Sequence, residues 1–177
     1  MLTLVLLRHA KSSWNAGGLA DYDRPLAKRG QKAAPEVGAA LAALGVRPDL
    51  VLCSGAARTR ETLGLVLAKL GGVSPRVVYD DAIYMATPAA LLSLLRKIPD
   101  GANGTPPRSV MIVGHNPGLE EFAALVVGRG GEDELARMSD KFPTGAAVVI
   151  SFNAASWGGI EIGGGSLEHY LTPKRLP

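Results

Sequence analysis

The sequence predicts an α/β fold of three layers, with a mainly parallel central sheet and helices on both faces. Three short apolar segments, each typical of a buried strand, end at polar or charged residues, and a stretch of helical periodicity begins soon after each. Parallel strands require crossover connections of this kind, and these connections cover both faces of a sheet. We see no internal repeat and no long linker, so we expect one domain over residues 1–177.

The predicted elements alternate along the first two thirds of the chain. The first helix places its apolar positions between Ala33 and Leu44 on one face, and Gly45 is a typical stop signal. Thr87 and Pro88 are a typical N-cap and first helical residue. In chain order we predict strands over 4–7, 50–53, 76–79 and 109–113, helices over 28–44 and 88–97, a helix after 54 that ends near 71–72, a loop over 99–107, and another helix after 118.

The last third of the chain gives weaker signals. Residues 129–141 are polar and predict no defined element, whereas 146–152 predicts a strand, with a partner strand around Ile160 and Ile162. The later glycines follow no strand-to-helix pattern. We therefore expect turns there and not a phosphate-binding loop.

The composition is typical of a globular cytoplasmic protein. Hydrophobic residues make up 47% of the chain and charged residues 20%, which suits a domain with a sizeable core. The apolar start, residues 1–7, is too short to cross a bilayer and lacks the features of a signal peptide. Cys53 is the only cysteine and lies in an apolar run, so we expect no internal disulfide and an unreactive, buried thiol.

The net charge of +3 does not by itself indicate a nucleic-acid partner. Basic residues are scattered along the sequence, aromatic residues make up only 5% of it, and no stripe of Lys and Arg has aromatic residues interleaved. We expect no nucleic-acid or membrane partner. With three histidines and no Cys/His spacing, the sequence also predicts no metal site.

The polar residues that end the strands are the candidates for chemistry. Arg8 and His9 follow the first strand, Arg58 follows the second, and His115 follows the fourth. An isolated Arg-His pair is more often a surface cap and an ordinary loop histidine. However, the carboxyl ends of parallel strands share one edge of the sheet, where ligands bind. The four side chains together predict a pocket for a dianion with an internal nucleophile.

Each of the four side chains has a role that phosphoryl transfer requires. Two guanidiniums, Arg8 and Arg58, bind phosphoryl oxygens in forked pairs. A neutral His9 imidazole can attack phosphorus, provided that one ring nitrogen stays unprotonated, which a backbone carbonyl bonded to the other nitrogen would ensure. His115, if protonated, adds a donor for the charge that develops on the oxygens.

These residues resemble a known family. Residues 7–12 resemble the Arg-His signature of the histidine phosphatase superfamily, also called phosphoglycerate mutase-like, and Asn15 matches the asparagine of that signature that contacts phosphate. The resemblance is closer to the SixA-type phosphohistidine phosphatase branch. That branch is matched by residues 23–26, by Ser54, and by residues 57–62, 114–117, 142–146 and 171–174.

The resemblance implies a phosphohistidine intermediate on His9, with no metal or cofactor. Arg8, Arg58 and His115 would complete the phosphate pocket, and Asn15 and Ser12 would add phosphate contacts. Trp14 is equally compatible with a wall of the pocket and with a core residue. The expected function is hydrolysis of phosphohistidine on a protein. The alternatives are a phosphatase for small phosphomonoesters, such as a sugar phosphate or nucleotide, and a weakly active module that binds phosphate or phosphoproteins.

One departure from the superfamily concerns the general acid. Many members carry a glutamate before the third helix, where this chain has Asp80 and Asp81. Asp81 could protonate a leaving oxygen if its pKa were raised, and an ordinary solvated loop aspartate is an equal alternative. A weak or absent acid favours phosphohistidine, because imidazole is a better leaving group than an alkoxide.

Overall fold

A computed structural model of the chain describes residues 1–15, 17–100 and 106–176. Its centre is a seven-stranded sheet with strand order β3-β2-β4-β1-β6-β7-β5. The strands are β1 (Leu2–Arg8), β2 (Leu50–Cys53), β3 (Arg76–Tyr79), β4 (Ser109–Gly114), β5 (Val127–Arg129), β6 (Ala147–Phe152) and β7 (Gly165–Leu171). The helices are α1 (Lys28–Ala43), α2 (Ala57–Leu70), α3 (Pro88–Arg96), α4 (Gly118–Val126) and α5 (Glu132–Asp140).

The strand directions confirm a mainly parallel sheet. β3, β2, β4 and β1 run parallel to one another. β6 is antiparallel to both β1 and β7, and β5 is parallel to β7, so among the described strands only β6 runs in the opposite direction. The carboxyl ends of β2, β4 and β1 therefore lie side by side at one edge.

Alternate side chains of the central strands enter two separate cores, as a three-layer fold requires. Leu4 and Leu6 of β1 pack into a core with α3 and α4, whereas Val5 and Leu7 pack into a core with α1 and α2. All four of these side chains are fully buried. A central strand covered on both faces must be apolar throughout, which explains the uninterrupted run that precedes Arg8.

The structure confirms the predicted helix signals. The Thr87 side chain accepts a hydrogen bond from the Ala90 N–H at 3.2 Å, and Pro88 is the first residue of α3. α1 extends from Lys28 to Ala43, and Gly45 after it has φ +73°, a conformation that favours glycine. Among the described residues, no helix has the length and apolar character needed to cross a membrane.

In the last third of the chain, one prediction was wrong, and a segment that the sequence left unassigned forms a helix. Ile160 and Ile162 lie outside any strand, and the strand that pairs with β6 is β7. Residues 132–140, for which no element was predicted, form α5, in which only Met138 is buried. The helix is short, has three acidic residues in its first turn and contains few apolar residues, so its composition is like that of a polar loop. Of the loop predicted over 99–107, residues 101–105 lie outside the described residues.

Candidate active site

The three neighbouring strand ends meet in one pocket. Arg8 at the end of β1 is in register with Gly114 of β4, and the His9 N–H donates to the Gly114 carbonyl at 3.1 Å. The Ser54 N–H, directly after β2, donates to the Val113 carbonyl at 3.0 Å. These backbone bonds continue the sheet by one residue on each strand. They place His9, Ser54 and His115 beside one another.

His9 is held as a neutral imidazole with one nitrogen free. Its Nδ1 lies 2.7 Å from the Ala10 carbonyl oxygen, and because a carbonyl only accepts, Nδ1 carries the proton. Nε2 is then left with its lone pair. Burial lowers the pKa of His9 to about 4, with further lowering by Arg58 and Arg8, against the opposing effect of the Ala10 hydrogen bond. His9 is therefore neutral at pH 7, as a nucleophile must be.

His115 stands next to His9, with the two ring centroids 5.2 Å apart. Its Nε2 lies 2.8 Å from the Ser54 hydroxyl oxygen, which accepts a hydrogen bond from the Ala56 N–H at 3.3 Å. A hydroxyl has one hydrogen and two lone pairs, so Ser54 donates to Nε2 in the tautomer of neutral His115 that has its proton on Nδ1, and accepts from Nε2 in the other tautomer. Burial and the proximity of His9 and Arg58 lower the pKa of His115 to about 3. In the first of these tautomers, His115 can therefore donate through Nδ1 without being charged.

The two predicted arginines are fixed by backbone carbonyls. Arg8 Nη1 donates to the Phe142 carbonyl at 2.7 Å. Arg58, in the first turn of α2 and only 3% exposed, donates from Nη1 to the Asp21 carbonyl at 2.5 Å and from Nη2 to Asp21 Oδ2 at 2.9 Å. The Tyr84 hydroxyl donates to the same carboxylate at 2.6 Å. The Tyr84 hydrogen bond and Arg58 lower the pKa of Asp21 to about 2, so its carboxylate is ionised.

Buried polar atoms without partners are concentrated at this pocket. Among the described residues, five buried side-chain atoms have no hydrogen-bond partner, and all belong to residues that line the same cavity of about 350 Å³. Leaving such an atom unpaired typically costs about 1–3 kcal/mol, and native proteins do so rarely. With His115 Nδ1 protonated, four of the five are N–H donors, which indicates a site for an anion. The atoms are Arg8 Nε, Arg24 Nη1, Arg58 Nε, His115 Nδ1 and Asn116 Oδ1.

Comparisons with known proteins identify the family of the chain. Residues 4–83 match the sequence profile of the histidine phosphatase superfamily (branch 1). A crystal structure from Agrobacterium tumefaciens, provisionally named phosphohistidine phosphatase SixA, is 34% identical, with TM-score 0.75, over 97% of this chain and 98% of that one. The chain belongs to the histidine phosphatase superfamily. Within the superfamily it is of the SixA type.

Two further relatives cover almost the whole chain. A structure from Nakamurella multipartitia, also provisionally named phosphohistidine phosphatase SixA, is 28% identical, with TM-score 0.78, over 97% of this chain and 96% of that one. An uncharacterised protein of Mycobacterium tuberculosis is 32% identical over 170 residues, which are 95% of this chain and 100% of the relative.

The structure brings some, but not all, of the predicted site residues to this pocket. Arg8, His9, Ser12, Arg58 and His115 line it, and Ser12 is 5% exposed. Asn15 and Asp81 are exposed and are not among the lining residues.

Trp14 and Asp81 occupy different surroundings. Trp14 lines the pocket and is 74% exposed, with the Arg24 guanidinium 3.7 Å from its ring centroid, so it is a wall of the pocket and not a core residue. Asp81 Oδ1 instead accepts a hydrogen bond from the Tyr22 hydroxyl at 2.5 Å. Trp14 is thus available to a substrate at the mouth, whereas the Asp81 carboxylate is turned to a surface tyrosine.

Sequence analysis missed Asp21 and Tyr84, which both line the pocket. Asp21 precedes the family-like segment 23–26 by two residues, and Tyr84 follows Asp81 by three. Because both lie close in sequence to segments of the predicted site, both could have been named as candidate site residues. The hydrogen bonds that join Asp21 to Arg58 and to Tyr84, however, span 37 and 63 positions and are set only by the fold.

The remaining predictions about chemistry concern the thiol and metals. Cys53 is fully buried, and burial raises its pKa to about 12, which makes the thiol unreactive. Among residues 1–15, 17–100 and 106–176, no group of three or more His, Cys, Asp or Glu side chains is placed to hold a metal ion.

Proposed function

We propose that the chain is a metal-independent phosphatase that carries the phosphoryl group on His9 and acts on phosphohistidine in a protein. The observation that carries the proposal is the fixed tautomer of His9, with Nδ1 bonded to Ala10 and Nε2 free in a pocket lined by two arginines. The two solved relatives named SixA support the same substrate class.

The first chemical step is the transfer of the phosphoryl group to His9. The lone pair of Nε2 attacks phosphorus, the bond between phosphorus and the substrate imidazole breaks, and that nitrogen leaves with the electron pair. Arg8 and Arg58 stabilise the charge on the phosphoryl oxygens, which is what guanidinium pairs do in phosphoryl transfer. Because these two fixed cations stabilise the negative charge on the phosphoryl oxygens, the step needs no metal ion.

The second step returns the enzyme to its starting state. A water oxygen attacks the phosphorus of phosphorylated His9, and the bond from phosphorus to Nε2 breaks. Inorganic phosphate leaves, the water proton passes to the phosphate or to solvent, and His9 regains its lone pair. The Ala10 carbonyl keeps the ring oriented through both steps, so Nε2 is presented again for the next turnover.

The carboxylates near the pocket favour a nitrogen leaving group. Asp81 is exposed and bonded to Tyr22, and Asp21, which does line the pocket, has a pKa of about 2. A carboxylate with so low a pKa is a poor proton donor at neutral pH. An alkoxide leaving group needs such a donor, whereas the imidazole of phosphohistidine can take a proton from water on its second nitrogen and depart neutral.

The direct test is the release of phosphate from a histidine-phosphorylated protein in EDTA. We expect release by the intact chain, and a loss of at least about a thousandfold in His9→Ala, because the nucleophile is removed. His169→Ala is the matched control, since His169 does not line the pocket, and we expect this variant to keep the rate of the intact chain. Circular dichroism of each variant checks that the fold is kept.

Three results would change the assignment. Release that persists in His9→Ala contradicts the phosphohistidine intermediate. Release only from a sugar phosphate or nucleotide moves the function to small phosphomonoesters. Binding of phosphate without turnover of either substrate makes the chain a binding module.

A further inference from the structure

A second cavity adjoins the active-site pocket and is strongly basic. Its volume is about 400 Å³, and it lies between α1, the end of α5 and the segment after β7. We call it the basic groove. The charged residues that line it are six bases and one acid: Lys11, Arg29, Arg137, Lys141, Lys174 and Arg175, with Asp140.

The positive charge of the chain is concentrated in this groove. The chain has 19 Lys and Arg residues and 16 Asp and Glu residues. Removing the six bases and one acid of the groove leaves 13 bases and 15 acids, so the rest of the chain is slightly acidic. The bases are far apart in sequence, from Lys11 to Arg175, and the fold brings them to one surface.

The bases of the groove are not neutralised within the described part of the chain. The ion pairs found there join Asp21 to Arg24 and Arg58, and none involves a groove residue. Five of the six bases are exposed, and only Arg137 is half-buried. Like charges held close together repel one another, so the arrangement favours an anionic partner.

The basic groove is continuous with the catalytic pocket. Lys11 and Thr144 line both cavities, and Lys11 is two residues beyond His9. A chain whose phosphorylated side chain enters the pocket therefore has the groove directly beside it.

The lining of the groove suits a polypeptide better than a nucleic acid. Its one aromatic ring, Tyr170, is only 4% exposed, and its hydroxyl donates to the Lys141 carbonyl. Bases of single-stranded nucleic acid bind by stacking on exposed rings, and this ring is not accessible. Uncharged residues between the bases, among them Pro143 and Pro173, offer an apolar floor for the stems of acidic side chains.

We propose that the basic groove binds an acidic segment of the phosphorylated protein, next to its phosphohistidine. This inference rests on the proposed function and adds the recognition of the partner. The pocket identifies the phosphoryl group, and the groove identifies the protein that carries it. The groove would thereby favour acidic phosphoproteins over free phosphohistidine and over basic ones.

The test uses two synthetic phosphohistidine peptides that differ only in the flanking run, which is glutamate in one and glutamine in the other. The groove bases should attract the glutamate side chains and speed the association of that peptide. We therefore expect kcat/KM to be about tenfold higher for the glutamate peptide at low salt. The advantage should disappear at about 0.5 M salt, where the screening length is only a few ångströms.

Two double variants test whether the preference for the glutamate peptide arises in the basic groove. Lys141→Glu/Lys174→Glu reverses two exposed groove charges and should abolish the preference for the glutamate peptide, while kcat for the glutamine peptide stays the same. Lys69→Glu/Lys97→Glu makes the same change of charge at two exposed lysines outside the groove and should keep the preference. Anisotropy of a dye-labelled, unphosphorylated glutamate peptide measures binding without turnover.

The outcomes separate this proposal from the proposed function. If His9-dependent release fails for both peptides, the proposed function is wrong, and the anisotropy still decides the groove. Equal kcat/KM for the two peptides, or equal losses in both double variants, overturns the groove proposal. Two results with the groove variant would also overturn it. One is that the variant weakens inhibition by inorganic phosphate as much as it weakens binding of the glutamate peptide. The other is that the variant binds the glutamate peptide normally but no longer binds a single-stranded oligonucleotide.

Discussion

The pocket around His9 and the basic groove share Lys11 and Thr144 but are built in opposite ways. In the pocket, the polar side chains are fixed by the backbone, as His9 is by Ala10 and Arg8 is by Phe142. In the groove, the bases are mostly exposed and carry no ion pair within the described residues. Fixed, desolvated groups stabilise a transition state, whereas exposed charges provide an attraction that salt screens.

This difference predicts two kinds of kinetic response. Changes in the pocket should lower kcat, because they remove interactions with the reacting phosphoryl group. Changes in the groove should act on kcat/KM for charged partners and vanish at high salt.

The largest effect in the pocket after loss of His9 is expected for Arg58→Ala. Removing a fixed donor from a transition-state site lowers kcat by about two to three orders of magnitude in other enzymes. Arg58→Lys keeps a charge but not the forked geometry, so we expect most of the loss to remain. The matched control is Arg47→Ala, at an exposed arginine that donates to the Gly71 carbonyl and does not line the pocket. Unchanged kinetics in Arg58→Ala would remove this residue from the mechanism.

The residues of the pocket could be predicted from the sequence, whereas the groove could not. Arg8 ends β1, and His9, Arg58 and His115 follow β1, β2 and β4 in the parallel half of the sheet. The geometry of that sheet brings such residues together whatever the details of the loops. The groove has no local signal, because its bases come from the loop after β1, from α1, from α5 and from the segment after β7. Scattered bases in the sequence become one surface only through the fold.

The failed predictions have a related cause. β7 contains Glu168 and His169 between its buried residues, so its apolar pattern is weaker than that of Ile160 and Ile162, which lie near it in sequence. Asp21 was missed because its role depends on Arg58, which contacts it from a different element. Side chains that act through a distant partner give no signal at their own position.

The pH dependence of stability should reveal the buried histidines. The pKa values of His9 and His115 are lowered to about 4 and about 3, so the unfolded chain binds protons more readily than the folded one. Stability is then full above about pH 6.5 and is lost as the pH falls towards these values, by about 2 kcal/mol per histidine at pH 5.

Urea unfolding at neutral pH and at about pH 5 measures this loss, in a buffer without phosphate. His9→Gln/His115→Gln should be less sensitive to pH than the intact chain by roughly the sum of the two contributions. An intact chain as stable at the lower pH as at neutral pH would show that both imidazoles titrate normally. The pocket would then be more solvated than its burial indicates.

The smallest effect is expected for Asp81→Asn. Because the Asp81 carboxylate is exposed and bonded to Tyr22, phosphohistidine hydrolysis should stay within about twofold of the intact chain, as for other surface changes. Asp21→Asn is the informative contrast, since it removes the charge that holds Arg58. A large loss in Asp81→Asn, seen with alkyl phosphomonoesters, would mean that this carboxyl reaches a leaving oxygen once substrate is bound. The preference for a nitrogen leaving group would then have no basis in the pocket.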